Sequence, residues 1–119
     1  MNSEAEESEV IVYRNSDQKV IYKKTGNFEE WFEYDEWGNT IHYKDSNGYE
    51  WWQEFNKEDK IIHYKTSVGF QFWREYNADG NVVYIKDIYN LKVHQKWTEY
   101  DKKGNPTKVT SHTVQTFAN

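Results

Sequence analysis

The chain has 119 residues, a mass of 14.5 kDa and a net charge of −5, which allow one small domain and exclude two ordinary ones. Aromatic residues form 18% of it, which excludes disorder over most of its length. It has no Cys, which excludes disulfides and thiolate metal sites, and no apolar run that could span a membrane. These features, with no visible secretion signal, predict a cytoplasmic location.

The acidic charge is concentrated at the start of the sequence. Residues 1–9 contain four Glu and no basic residue, and we predict a disordered acidic tail there. The rest of the chain has 16 acidic and 15 basic residues. It lacks the positive excess of nucleic-acid-binding proteins, so direct binding to nucleic acid is not expected. We predict a single β-hairpin repeat domain over residues 10–119.

An internal repeat organises this domain. Its most regular residue is Trp, at positions separated by 21, 21 and 24 residues: Trp31, Trp52, Trp73 and Trp97. Each repeat holds a strand-forming segment such as WFEY, a D/N-x-x-G-N turn and a second strand such as TIHYK. In the turn, Asp or Asn caps the backbone and Gly takes the positive φ of a type I turn with a bulge. Stepping back 21 residues places Tyr22 in the column of Tyr43, which gives about four and a half repeats.

The pattern predicts an all-β fold, an elongated and twisted antiparallel array of tandem β-hairpins. Because side chains alternate along a strand, Trp31 and Glu33 face one way, and Phe32 and Tyr34 face the other. Aromatic side chains therefore occur on both faces, unlike the clean alternation of a half-buried sheet. Two arrangements stay open: a continuous meander sheet, and a β-solenoid in which successive hairpins stack.

The turn signature carries a resemblance to a known repeat. It reads YDEWGN at residues 34–39 and YDKKGN at residues 100–105. These segments resemble the YD (Rhs-type) repeat, a β-hairpin unit of similar length. The resemblance covers roughly residues 10–110; it implies the hairpin architecture and leaves the function open.

Two further resemblances concern function. The run NGYEWW at residues 47–52 is similar to the aromatic hairpins of choline-binding cell-wall repeats, which implies a carbohydrate or choline ligand. Small proteins of such hairpins also look like those carried by phages and mobile elements, where immunity proteins and anti-CRISPR inhibitors occur. This second link is an analogy of architecture and not a motif.

Few residues are arranged for chemistry. His42 and His63 share a column and could bind a metal as neighbours, or be paired surface imidazoles. The column continues with Tyr84 and Lys108, which are poor zinc ligands, so no metal is expected. Glu recurs in each repeat, as a surface charge column does and a catalytic pair does not. We expect no enzymatic activity and no cofactor.

Aromatic residues that break the columns are the candidate partner-binding residues. Trp37 lies inside a turn, where a hairpin would bury it poorly. Trp51 and Phe72 share a column that holds charged residues in other repeats, and Tyr49 lies near Trp51 in the sequence. Packing of these rings against an adjacent hairpin is the alternative interpretation.

The lengthened repeat supplies the other candidates. The three extra residues before Trp97 fall in a segment that we predict to be a loop, and Ile88, Tyr89 and Leu91 are apolar for a loop. A loop that touches a partner is one interpretation, and a tolerated insertion is the other.

These observations favour a non-enzymatic protein-binding module, a small intracellular inhibitor that occludes a site on a larger protein. It would be of the anti-CRISPR or toxin-immunity type. The alternative is a carbohydrate- or choline-binding cell-wall repeat module, so a glycan or small-molecule ligand stays open. The first hypothesis predicts one irregular patch, and the second predicts a ligand site at each 21-residue step.

Overall fold

The computed structural model describes residues 9–116, and every regular element in them is a β-strand. The ten strands are β1 (Val10–Arg14), β2 (Val20–Thr25), β3 (Phe28–Tyr34), β4 (Thr40–Asp45), β5 (Glu50–Phe55), β6 (Ile61–Thr66), β7 (Gln71–Tyr76), β8 (Val82–Tyr89), β9 (Lys92–Tyr100) and β10 (Pro106–Gln115). The predicted all-β antiparallel fold is confirmed. Residues 1–8, most of the predicted tail, lie outside the described residues. Within residues 9–116, no helix is available that could cross a membrane.

The chain divides into two units, one ending at Trp52 and the other starting at Gln53. In the first unit, β1 to β5 follow one another, and each strand pairs antiparallel with the next. In the second unit, the end of β5 is followed in the same way by β6 to β10. Strands that are neighbours in the sequence are neighbours in the sheet, so each unit is a meander and not a solenoid.

A single five-residue turn recurs throughout, as the sequence predicts. At residues 35–39, the Asp35 N–H donates to the Asn39 carbonyl and the Gly38 N–H donates to the Asp35 carbonyl. The Asp35 carboxylate accepts the N–H groups of Trp37 at 3.0 Å and Asn39 at 2.9 Å, and Gly38 has a φ of 92°. The same backbone pattern closes seven of the nine connections: residues 15–19, 35–39, 45–49, 56–60, 66–70, 77–81 and 101–105.

The turn positions correct the predicted repeat at its start. The turns at residues 15, 35, 56, 77 and 101 begin at steps of 20, 21, 21 and 24 residues. Tyr22 lies opposite Trp31, as His42 lies opposite Trp52, so Tyr22 is equivalent to His42 and not to Tyr43. The Trp spacing misplaces Tyr22 because the β2–β3 connection has a shorter turn than the β4–β5 and β6–β7 connections.

The lengthened repeat does not contain the predicted loop. Asp87, Ile88 and Tyr89 belong to β8, and Tyr89 pairs directly with Lys92 of β9. Asn90 and Leu91 alone form the turn, with φ values of 52° and 63°. Two positive φ values in a two-residue hairpin are those of a type I′ turn. The extra residues therefore lengthen two paired strands, which is why apolar side chains are found there.

Leu91 is a poor residue for this turn, because a left-handed backbone costs a side chain with a Cβ about 1–2 kcal/mol. We expect Leu91→Gly to raise the free energy of unfolding by about 0.5–1 kcal/mol after the entropy cost of Gly. Urea unfolding measures this change. Val68→Gly is the matched control, since Val68 is exposed in a turn but lacks a positive φ. If the Leu91→Gly chain were no more stable than the Val68→Gly chain, the claim that Leu91 strains the turn would be contradicted.

Neither unit buries a hydrophobic side chain in the described residues. The two buried side chains are polar: Asp45 and Thr66 are 8% and 6% exposed, and each caps the turn that it begins. Packing is instead lateral, between rings on adjacent strands. In each unit we call the face with the repeated Trp the front face, and the face with the repeated Tyr the back face. The front faces carry Trp31 and Trp52 in the first unit and Trp73 and Trp97 in the second; the back faces carry Tyr43 and Tyr64.

A recurring Tyr ties three of the hairpins to the strand before them. The hydroxyls of Tyr34, Tyr76 and Tyr100 donate to backbone carbonyls that begin the preceding even-numbered strands. The acceptors are Val20, Ile61 and Val82, at 2.6, 2.8 and 2.6 Å respectively. The Tyr that precedes these turns therefore has a structural role.

Candidate binding surface

The back face of the first unit holds the Tyr43 cluster, formed by Phe32, Tyr43, Tyr49 and Trp51. The Tyr43 ring stacks on Trp51 at 5.8 Å and meets Phe32 edge-on at 5.3 Å and Tyr49 at 6.4 Å. Its hydroxyl lies 2.8 Å from a Glu30 oxygen and 3.2 Å from an Asp45 oxygen. Burial and these carboxylates raise the pKa of Tyr43, so the hydroxyl stays a donor. Trp51 and Tyr49 are thus held by lateral packing.

The back face of the second unit holds the Tyr64 cluster, formed by Tyr64, Phe70, Phe72 and Tyr89. Phe72 stacks on Tyr64 at 5.3 Å, and Phe70 meets Phe72 at 6.0 Å and Tyr89 at 6.1 Å. The Arg74 guanidinium covers Phe72 at 4.2 Å from its centroid and donates to Asp87 at 2.9 Å. Phe72 is therefore half-buried, while Tyr89 stands exposed at the rim of the cluster.

The other candidates of the lengthened repeat lie apart from Tyr89. Ile88 is on the front face, where it lies opposite Gln71 and Val93. Leu91 is exposed in its turn, and its carbonyl accepts the Thr116 N–H at 2.6 Å. The structure brings Tyr89 to Phe70, which in turn meets Phe72, but it does not gather Ile88, Tyr89 and Leu91 on one face.

Trp37 is 72% exposed, more than any other large hydrophobic side chain of the described residues. Its backbone N–H supports the turn, but its ring makes no aromatic contact within residues 9–116. The same turn forms with Glu58 and Asp79 in the position of Trp37. The fold therefore places no demand on a Trp at this position.

An open groove of about 470 Å³ lies beside Trp37, between the turns at residues 15–19 and 35–39. Glu36 and Gly38, the chain neighbours of Trp37, line it. Its wall combines apolar and charged side chains, with acidic groups in excess: Asp17, Lys19, Ile21, Phe32, Glu33, Tyr34, Asp35 and Glu36.

A larger open groove of about 870 Å³ lies in the second unit, between the turns at residues 77–81 and 101–105. Tyr84 and Trp97 line it, with their rings 5.4 Å apart, and Glu75 and Glu99 also lie on its wall. The sequence did not single out Trp97, because it belongs to the repeated Trp column. The recurrence of turn, aromatic pair and acidic side chains is the signal that could have found the groove.

The two His residues of the proposed column each have partners within their own unit. His42 stacks on Trp52, with its ring nitrogens 3.3 Å from Glu33 and 2.6 Å from Glu50. His63 stacks on Trp73 and has contacts of 3.1 Å with both Glu54 and Gln71. No group of three metal-ligating side chains occurs in residues 9–116. Each His instead contacts side chains of the strands on both sides of its own strand.

Two turn carboxylates tie stability to pH. Burial alone would raise the pKa of Asp35, but the N–H groups of Asn39 and Trp37 outweigh it and lower that pKa. The Asn105 and Lys103 N–H groups likewise lower the pKa of Asp101. A lowered folded-state pKa stabilises above the unfolded-state value of about 3.9, and the contribution disappears as pH falls through the folded-state value.

We expect the double variant Asp35→Asn, Asp101→Asn to lose less stability than the wild type between neutral pH and about pH 3. Asn accepts the same turn hydrogen bonds without titrating, as Asn56 and Asn77 do. Urea unfolding at both pH values measures it. Asp79→Asn is the control, since the Asp79 side chain accepts no hydrogen bond in the described residues. Equal acid losses in all three chains would contradict the prediction.

No protein-family model matches the chain, and no curated protein matches it. Function is therefore argued from the side chains themselves.

Proposed function

We propose that this chain is a non-enzymatic protein-binding module built from YD-type β-hairpin repeats, with Trp37 as its principal contact. The exposure of Trp37 supports the proposal most directly. Leaving a Trp ring in water forgoes a large hydrophobic gain, and the turn forms equally well with charged residues in its place. Trp is also the residue type most enriched among the energetic centres of protein interfaces.

The surroundings of Trp37 suit a partner with a mixed surface. The adjacent groove offers apolar contact through Ile21 and Phe32, and Lys19 and Glu33 provide charges of both signs. Apolar anchors surrounded by polar groups are typical of interfaces between separately folded proteins. The lateral stacking of Tyr43 on Trp51 also makes the sheet a preformed surface, which lowers the entropy cost of binding.

The proposal extends to inhibition by occlusion. A preformed sheet that covers a site on a larger protein needs no catalytic group of its own. The chain would then inhibit its partner by covering that site, as an inhibitor of the anti-CRISPR or toxin-immunity type. The absence of Cys agrees with a cytoplasmic site of action.

A second candidate function is the binding of glycan or choline at repeated sites. Trp31, Trp52 and Trp97 are 39%, 38% and 41% exposed and occupy equivalent front-face positions, as stacking platforms for sugar rings would. Trp73 departs from this series, because the Lys86 ammonium lies 5.1 Å from the centre of its ring. These three equivalent exposed rings are the observation that supports glycan or choline binding as the second candidate function.

The experiment compares the wild type with Trp37→Ala as immobilised baits in lysates of the cells that encode the chain. Quantitative mass spectrometry should identify a protein that the wild type retains and Trp37→Ala loses. Beads of cell-wall glycan test the second candidate in parallel. Glycan binding that depends on Trp31 or Trp97, with no protein lost from the Trp37→Ala bait, would overturn the proposal.

A further inference from the structure

The outer edge of β10 is the feature of the fold that the proposed function does not use. β10 is ten residues long, whereas the strand at the other end of the sequence order, β1, has five. All ten of its residues are exposed. Among the described residues β10 pairs with β9 alone. One side of its backbone is therefore open along the whole strand.

The hydrogen bonds show which backbone groups face outward. The Thr116 N–H donates to the Leu91 carbonyl across the β9–β10 hairpin. Because N–H and C=O groups point to alternate sides along an antiparallel strand, even-numbered residues from Lys108 to Val114 face β9. The odd-numbered residues after the bulge face outward: Val109, Ser111, Thr113 and Gln115. The register shift between Pro106 and Lys108 reverses the alternation at the start of β10, so the open edge that can pair regularly begins at Val109.

This edge lacks the features that protect exposed strands from pairing. Lys108 is its only Lys or Arg, and it contains no Asp or Glu. Its one register irregularity lies at its start, between Pro106 and Lys108, and the register is continuous from there to Gln115. Half of its residues are the β-branched types that favour strands: Thr107, Val109, Thr110, Thr113 and Val114.

We propose that this edge pairs antiparallel with the same edge of a second copy of the chain, about a two-fold axis at Ser111. Val109 then lies opposite Thr113 of the partner subunit, and Ser111 opposite Ser111 of the partner subunit. This register forms three hydrogen-bonded pairs, with roughly six backbone hydrogen bonds. No like charges meet, since Lys108 lies opposite Val114 of the partner subunit.

A second β10 fits this edge better than the β1 of another copy. Contact between β10 and the β1 of another copy would be head-to-tail. Head-to-tail contacts extend into open chains unless the rotation closes, whereas the β10 contact is self-complementary and closed at two copies.

Cysteine cross-linking tests the axis cleanly, because the chain has no native Cys. In a hydrogen-bonded antiparallel pair the two Cα atoms at the axis lie about 5.5 Å apart, within disulfide range. Mild oxidation of Ser111→Cys should therefore give mostly disulfide-linked dimer on a non-reducing gel. Ser16→Cys, in an exposed turn, is the matched control. Equal and low cross-linking of both variants would overturn the proposal.

Charge substitution at the axis separates a specific contact from chance cross-linking. Ser111→Lys places two ammonium groups opposite each other, so the dimer dissociation constant should rise about threefold or more in sedimentation equilibrium. Mixing Ser111→Lys with Ser111→Glu should restore dimers as mixed pairs. A wild-type chain that stays monomeric at high concentration, or mixtures that remain monomeric, would contradict pairing at Ser111.

Discussion

Replacing Tyr43 with alanine is expected to lower the free energy of unfolding by about 3 kcal/mol, near the lower end for loss of a large core ring. The ring contacts Phe32, Tyr49 and Trp51, and its hydroxyl lies between Glu30 and Asp45. These lateral contacts replace a buried core in this unit. Alanine removes them together and leaves two carboxylates on the back face without their shared donor.

Urea unfolding followed by circular dichroism measures the effect, and two variants make the result specific. Tyr43→Phe keeps the ring contacts and should cost about 1 kcal/mol for the lost hydroxyl. Tyr13→Ala removes an exposed ring that, among residues 9–116, stacks on Tyr22 alone, and it should also cost about 1 kcal/mol or less. If Tyr43→Ala cost no more than Tyr13→Ala, lateral packing of rings could not be what holds this unit together.

Trp37→Ala is expected to weaken binding to the captured partner about 30-fold, which corresponds to about 2 kcal/mol. Its stability should stay within about 0.5 kcal/mol of the wild type, because the turn does not use the ring. Calorimetric titration with the purified partner and urea unfolding measure the two quantities. The separation of the two effects distinguishes a binding residue from a packing residue.

Trp51→Ala provides the contrast for Trp37→Ala. Trp51 is half-buried and stacked on Tyr43, so its loss should lower stability first. Glu58→Ala is the neutral control, since Glu58 occupies the position of Trp37 in another turn. An intact Trp37→Ala chain that binds as tightly as the Glu58→Ala chain would contradict the assignment of Trp37.

The turns of this fold could be predicted from the sequence, because the conformation of a turn depends on a few adjacent residues. Asp35 and Gly38 specify a capped turn with a positive φ, and the structure has both. Asp59 occupies the turn position that is Gly38 in the first full repeat, and it also has a positive φ, of 62°. The turn therefore tolerates a residue other than Gly at this position. Hairpins and their order follow from such turns without reference to distant residues.

Strand pairing and exposure are less accessible from the sequence. Aromatic residues on both faces are compatible with a meander and with a solenoid, and only the hydrogen bonds distinguish the two. The exposure of Trp97 could not be predicted from the sequence, because a Trp that recurs in every repeat is typical of a packed position. In these units the rings pack side by side and remain partly exposed to solvent. Ile88 and Tyr89 lie on opposite faces of β8. Predicting this needs the register of the strand, which is not available when the segment is interpreted as a loop.

Photo-cross-linking from position 37 tests the central claim most directly. A benzoylphenylalanine in place of Trp37 preserves a large exposed ring, and the same group in place of Asp79 sits at the equivalent position of a turn in the second unit. We expect irradiation in lysate to link position 37 to one protein, the one that Trp37→Ala fails to retain, with no such product from position 79. Identical products from both positions, or none from position 37, would contradict a binding surface centred on Trp37.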